Sequence, residues 1–350
     1  MTVKPTTNSN AVSEHMPVTV ITTCYGRNRH LYNLLSSLAN GSVQPDEVII
    51  VNDDADPKRL ADFALNIVKI PTSAGLVDSA DHQTLEHQTL EHQTLEHQTL
   101  EKSDKTEFDI GHNRNIGAAR ASHDTLIFLD VDCIVAPSFI EQLSTKLNQY
   151  PNALLMGQPR YLTRPLSNEE SLALQKGALT NDYLNHLSVY NPYRDNFDAK
   201  QSMSTEAVPT AIKKTDDYGA FWSLCFAIKR EQFEKIGGFD TQYTGYGAED
   251  TDFAFTARQL DIDFYLTADL VYHQQHTVYR PPLNHLESII VNGNRFYQKW
   301  QCWPMGGWLE QFCKMGLIEW TNEQSNSITL LRQPSSKEIE LAYYPDAAYV

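Results

Sequence analysis

Short apolar runs and amphipathic stretches alternate along the chain from Val18 onward. Val18 to Thr23 and Glu47 to Asn52 are β-rich, and each is followed by a helical pattern, Arg29 to Ala39 and Lys58 to Ala64. Two further strands are expected at Asn66 to Ile70 and Thr125 to Leu129. Continuous apolar strands separated by helices predict a mostly parallel α/β sheet with both faces covered. In such sheets ligands gather beyond the carboxyl ends of the strands, where Arg27, Asp53 and Asp130 stand.

The second half is less regular. A helix is expected from about Ser138 to Asn148, with Pro137 near its start, where a missing amide is tolerated. Residues from about Pro159 to Asp217 are polar with little periodicity and read as an irregular loop region or a lid. Regularity resumes with the apolar run Phe221 to Ile228 and a short helix through Ile236, closed by Gly237-Gly238 in the manner of a left-handed C-cap. A helix over Asp250 to Gln259 and a short strand over Phe264 to Thr267 follow. Between Ile70 and Ile110 the pattern gives way to four identical His-Gln-Thr-Leu-Glu units, residues 82–101. A period of five matches neither helix nor strand, so the repeat reads as a solvated insertion produced by tandem duplication.

Composition narrows the partners. The chain has 350 residues, 28 basic and 44 acidic, and a formal net charge of −16 that disfavours nucleic acid. A polyanionic small substrate would need a local cation to overcome that field. The 5 cysteines, Cys24, Cys133, Cys225, Cys302 and Cys313, form no CxxC pair and no secreted-style framework, so reduced thiols in the cytoplasm are the simplest reading. Residues 1–16 are polar and expected to be disordered, and no stretch approaches the length of a membrane span. The expected location is cytoplasmic, at most peripheral at the inner face of the membrane.

Three blocks carry chemistry. Asp130 and Asp132 end an apolar strand and lie two apart, so an extended backbone sends both carboxylates to one side. D-x-D triplets are common in acidic proteins, and the strand running directly into this one sets it apart. Such a pair can share a hard divalent ion, manganese or magnesium, whose shell is completed by substrate phosphates. In Gly245-Tyr-Gly-Ala-Glu-Asp-Thr-Asp252, glycines precede three carboxylates at a helix start. Capping accounts for acidic residues there, but not for the glycine-rich approach, which lets backbone pass close to a ligand beside a carboxylate able to take a hydroxyl proton. Third, Val271-Tyr-His-Gln-Gln-His276 offers His273 or His276 as a further ligand, which leans towards manganese.

In this order the blocks resemble the inverting GT-A glycosyltransferases, both the large family 2 and, in the later half, β-1,4-galactosyltransferases. The N-terminal match comprises Val18-Thr-Val-Ile-Thr-Thr-Cys-Tyr-Gly-Arg-Asn-Arg29, Val51-Asn-Asp-Asp54, Gly111-His-Asn-Arg-Asn-Ile-Gly117 and Phe128-Leu-Asp-Val-Asp132. The later match is Lys229-Arg-Glu-Gln-Phe-Glu-Lys-Ile-Gly-Gly-Phe-Asp240 with the Gly245 block. The resemblance implies a Rossmann-like α/β/α sandwich that binds a UDP-sugar and moves a hexose or N-acetylhexosamine, galactose-type favoured, to a saccharide or lipid-linked saccharide hydroxyl. It implies that Arg27, Arg29 and Asp53 contact the UDP, and that Arg114 and Asn115 lie near its sugar or phosphate side. Asp132 becomes the principal metal ligand, His273 its partner, Glu249 a hydroxyl-binding group and Asp250 the catalytic base. Asp130, Tyr246 and Gly247 fall on the nucleotide-sugar side. Galactosyltransferases carry tryptophan where Tyr246 stands, methionine where Leu270 stands and two glycines at Ser223-Leu224, departures that bear on the donor.

The resulting organisation is a catalytic domain over 17–280, its nucleotide-sugar part 17–135 and its acceptor-side part 136–280, followed by a helical, aromatic extension over 281–350. The extension holds Trp300, Trp303, Trp308 and Trp320, whose density is that of a core, and Lys299 and Lys314, which permit peripheral membrane contact. Two rival functions are a sugar-1-phosphate nucleotidyltransferase and a catalytically silent nucleotide-sugar-binding protein. The first leaves the Gly-Ala-Glu-Asp block without a task and lacks a glycine-rich triphosphate loop.

Overall fold

The computed structural model describes residues 16–51, 56–71, 109–192, 211–323 and 326–348. The repeat, Asp53 and the first fifteen residues lie outside the described residues. The chain begins β1 (Val18–Thr23), α1 (Asn28–Ala39), β2 (Glu47–Val51), α2 (Pro57–Leu60), β3 (Ile67–Ile70), α3 (Ile110–Arg120) and β4 (Thr125–Leu129). It continues through β5 (Cys133–Val135), α4 (Phe139–Gln149), β6 (Ala153–Leu162), α5 (Asn168–Gln175), α6 (Asn181–Leu187), β7 (Ser188–Tyr190) and β8 (Ile212–Lys214). Then come β9 (Cys225–Lys229), α7 (Arg230–Ile236), α8 (Glu249–Gln259) and β10 (Asp263–His273).

One sheet runs in the order β3-β2-β1-β4-β9-β6-β10-β5, with β7 beside β6 and β8 beside β10. The four strands from β3 to β4 are parallel. Beyond them β9 is antiparallel to both neighbours, and the parallel pair β6–β10 follows. Successive strand residues face opposite layers, as a period of two requires. Val18, Val20, Val48, Ile50, Ile127 and Leu129 meet α1 and α4 on one face. Ile21, Ile49, Leu126, Phe128, Phe226 and Ile228 meet α3, α7 and α8 on the other. This is the α/β/α sandwich expected for a GT-A domain.

Helix α1 shows why the pattern is decisive. Leu31, Leu34, Leu35 and Leu38 recur at helical spacing and are fully buried, each contributing about 1.5–3 kcal/mol of apolar burial. Leu34→Ala would cost about 2–5 kcal/mol. On the opposite face an aromatic layer joins β4 to α8. Phe128 stacks on Phe226 with centroids 4.5 Å apart, and Phe239 stacks on Phe253 at 4.5 Å. The layer therefore braces the two elements that carry the acidic blocks.

Several expectations change. The helix expected at Lys58 to Ala64 is one turn, Pro57–Leu60, capped by Asp56 through the Lys58 amide at 3.0 Å. The stretch from Pro159 to Asp217 is not irregular at its start: Ala153–Leu162 is an inner strand, and α5 and α6 follow it. Pro159 falls between Met156, the last residue paired with β9, and Arg160, the first paired with β7, a stretch where that side of β6 has no paired strand among the described residues. Gly157 is required by close packing, since a Cβ there would meet the Phe139 ring at 2.9 Å and the Asp269 carbonyl at 3.1 Å. The short strand at Phe264 to Thr267 is the first part of β10, which shifts register between Leu266 and Leu270 and continues to His273. The buried pair Lys146–Asp269, 2.7 Å, fills that shift.

After β10 come β11 (Val278–Tyr279), α9 (Leu286–Trp300), α10 (Gly306–Lys314), β12 (Ile318–Glu319), β13 (Thr329–Leu330), α11 (Ser336–Ala342) and β14 (Tyr343–Tyr344). These elements share a core of Leu286, Ile289, Leu309, Phe312, Leu317 and Trp320, against which Trp303 and Trp308 pack. The tryptophans thus serve packing. Lys299 pairs with Asp252 at 2.9 Å and Lys314 with Glu310 at 2.6 Å, so both ammonium groups are engaged within the chain. Among the described residues no helix is long and apolar enough to cross a membrane.

Candidate active site

Asp130 and Asp132 leave the end of β4 in a tight turn, in which the Cys133 amide donates to the Asp130 carbonyl at 3.0 Å. The two carboxylates have different partners. Arg114 on α3 donates to Asp130 Oδ1 at 2.7 Å and to the Ser223 hydroxyl at 2.8 Å. Burial raises the Asp130 carboxyl despite that arginine. Asp132 is also buried, which by itself would raise it, but the His30 hydrogen bond and the Arg27 charge hold it far below the usual carboxylate range. Arg27 pairs with Asp132 Oδ2, and His30 Nδ1 lies 2.5 Å from Oδ1.

The end of β10 brings the histidines to the same place. Its pairing with β5, His273 opposite Cys133, sets the strand end beside the Asp130–Asp132 turn. The Gln274 amide donates to the Asp132 carbonyl at 2.6 Å. Asp132, His273 and His276 each present one ligand atom, and these atoms lie within 4.8 Å of one another. Burial lowers His273 to about 3, so its imidazole is neutral, the form in which nitrogen coordinates a metal. Burial lowers His276 as well, against the opposing pull of Asp132. One carboxylate oxygen and two neutral imidazoles fit a divalent cation, and the nitrogen share favours manganese over magnesium.

The second acidic block forms the start of α8. The chain reaches it through three residues in the left-handed region, Gly245 at φ 74, Gly247 at φ 100 and Ala248 at φ 72. A Cβ on Gly247 would have to displace the flexible Met305 side chain, whose Sδ it would meet at 2.5 Å, and the positive φ is what favours glycine here. The three carboxylates then part company. Asp252 is buried and accepts from the Tyr243 hydroxyl at 3.1 Å, Lys299 at 2.9 Å and the Trp300 indole at 2.7 Å, tying α8 to α9. Asp250 accepts from the Thr251 amide at 2.7 Å. Glu249 is pushed well above the usual carboxylate range, first by burial and then by the charge of Asp250. Its carboxyl also feels Arg114 and Asp130, so the start of α8 opens towards the end of β4.

Other expected site residues have local tasks. Asn115 uses its amide at both ends to hold the Phe239 backbone, at 2.8 Å each way. Arg29 donates to the Leu166 carbonyl. Tyr246 stacks on His285 at 4.5 Å and on Trp308 at 5.7 Å, joining the Gly245 block to the C-terminal elements. Sequence reasoning missed His30, Gln274 and Ser223. No local spacing marked His30, since Arg27 precedes α1 and the contact with Asp132 is made between residues distant in sequence. A groove of about 400 Å³ beside Gly237, Phe239 and Lys299 contains neither Asp132 nor the histidines and belongs to the back of α8.

Residues 77–283, more than half of the chain, match a family model described as glycosyltransferase like family 2. No curated protein matches the sequence. Similar solved structures include S. aureus TarS, 14% identical, with a TM-score of 0.43 over 81% of this chain and 40% of that one. Another is S. aureus TarS 1-349, 14% identical, with a TM-score of 0.42 over 81% and 66%. GalNAc-T7, solved with UDP, GalNAc and Mn2+, is 13% identical with a TM-score of 0.44 over 74% and 43%. The chain thus spans 40% of the length of the first of these.

Proposed function

This chain belongs to the glycosyltransferase like family 2, and on that footing we propose that it transfers a hexose or N-acetylhexosamine from a UDP-sugar to a saccharide or lipid-linked saccharide hydroxyl with inversion. Family membership makes it a glycosyltransferase and sets aside the nucleotidyltransferase and silent-binder readings. The observation that carries the finer proposal is the convergence of Asp132, His273 and His276 at the carboxyl end of the sheet, beside an arginine and at the turn that carries Asp130, whose charge reaches Glu249 of α8.

Asp132, His273 and His276 would hold manganese or magnesium, which when bound neutralises the departing diphosphate. Arg27 supplies a second positive charge next to that position. Arg114 holds Asp130 in place for a donor hydroxyl. Glu249, carrying a proton at neutral pH, is suited to donate a hydrogen bond to a sugar oxygen. Asp250 is assigned as the base that takes the acceptor hydroxyl proton as the oxygen attacks the anomeric carbon. The nucleotide-sugar side is the part over 17–135 and the acceptor side the part over 136–280, from which Tyr246 and Gly247 are assigned to the nucleotide-sugar. Five free cysteines support a reducing, cytoplasmic setting.

The test is a panel of UDP-sugars incubated with the chain, Mn2+ and candidate saccharides. The expected result is UDP release that one donor and an acceptor stimulate together, with a product of inverted anomeric configuration by NMR. A retained configuration would remove the single-displacement mechanism, and release of pyrophosphate would remove the transferase chemistry.

A further inference from the structure

The two oxygens of Asp132 are not equivalent. Oδ1 lies 2.5 Å from His30 Nδ1, while Oδ2 pairs with Arg27 and lies 3.6 Å from His276 Nε2. A carboxylate oxygen only accepts, so the His30 ring is the donor. Its hydrogen bond leaves Oδ2 as the oxygen turned towards the histidines. The partners also differ in mobility. The His30 side chain is 18% exposed and short, whereas the Arg27 side chain is 40% exposed and long.

We propose that His30 is a positioning residue for the cation site: it locks Oδ1 of Asp132 so that Oδ2 is the ligand atom, and Arg27 is the exchangeable partner that yields Oδ2 when a divalent ion binds. The inference rests on the metal-dependent reading above. The backbone around His30 supports it independently of the ring. Gln274, between the two histidines of the site, donates to the His30 carbonyl at 3.1 Å and accepts from Asn33 at 2.7 Å. The first turns of α1 are therefore fastened to the end of β10, and His30 acts from a fixed platform. Because those bonds use the His30 carbonyl and the Asn33 side chain, replacing the imidazole leaves the platform in place. Arg27 in turn becomes free for the diphosphate only once the ion has taken its oxygen, which orders the two events: ion first, then nucleotide.

The experiment is titration calorimetry of the full chain with Mn2+ alone, comparing the native protein with His30→Leu, His30→Asn and Arg27→Met. Loss of an outer-shell hydrogen bond to a ligand weakens metal affinity about 10–100-fold, the result expected for His30→Leu with the native far-ultraviolet circular dichroism spectrum retained in the absence of metal. His30→Asn keeps a short donor and recovers part of that loss. Arg27→Met removes a competitor and binds Mn2+ as tightly as the native chain or more so. Native binding with His30→Leu within about twofold of it overturns the positioning role alone, as does an Arg27→Met variant that loses as much affinity as His30→Leu. A native chain that takes up no Mn2+ overturns the metal reading and this role together.

Discussion

The Asp130–Asp132 turn and the Glu249–Asp252 helix start are both short acidic blocks, yet they handle charge in opposite ways. At the first, His30 and Arg27 reach Asp132 and keep it anionic against burial. At the second, Lys299 goes to Asp252, while Glu249 meets burial and the charge of Asp250 and keeps its proton. The difference lies in the neighbours of these two carboxylates, since Asp132 has His30 and Arg27 while Glu249 has a like charge beside it. An ionised carboxylate and a protonated one, as the proposed metal-ligand and hydroxyl-binding roles require, result from nearly the same residue types.

The largest expected effect separates the two blocks by function. Asp250→Asn lowers kcat by about 10²–10⁴ and leaves UDP-sugar affinity nearly unchanged, as read by steady-state kinetics beside calorimetry. Equal losses in both would move the base elsewhere. Asp132→Ala has the reverse profile: Mn2+ affinity falls by more than about 100-fold, beyond the usual cost of an outer-shell change. Manganese dependence that survives this substitution would separate Asp132 from the cation.

Smaller effects sharpen the contrast within α8. Asp252→Ala strands the Trp300 indole and the Tyr243 hydroxyl and should cost about 1–3 kcal/mol by chemical denaturation, discounted because Lys299 is partly exposed. Its Mn2+ affinity should match the native chain, and a joint loss would make Asp252 part of the site. The smallest effect is a pH slope. The folded chain keeps on Glu249 a proton that an unfolded carboxyl has already released. The stability contributed by this group therefore declines as pH rises from the ordinary carboxylate range through the raised value of Glu249, and is flat above it. Glu249→Gln removes that slope, so its urea midpoint exceeds the native one at alkaline pH. A native midpoint that keeps the same offset from that of Glu249→Gln across that range contradicts the protonated assignment.

The parts that were legible in the sequence had a period. Thr125–Leu129 runs into Asp130 as an unbroken apolar strand, and α1 repeats leucine at helical spacing. Helix α3 escaped because it buries Asn113 and Arg114 and has glycines at both ends, leaving no apolar stripe to read. Only the Asp109 cap, 2.9 Å from the His112 amide, marked its start. Strand β6 escaped because Gly157 and Pro159 look like breakers, although one is there for close packing and the other fills a gap in the ladder. At the site, Asp132 and His273 were readable as residue types. The role of His30 depends on a contact made across 102 positions, which no local pattern encodes.

The most direct test of the account is the linkage between UDP and Mn2+ in the native chain, each measured calorimetrically with and without the other. The account predicts that Mn2+ tightens UDP binding and that UDP tightens Mn2+ binding by the same factor, a coupling abolished in Asp132→Ala. UDP binding indifferent to Mn2+ would contradict it.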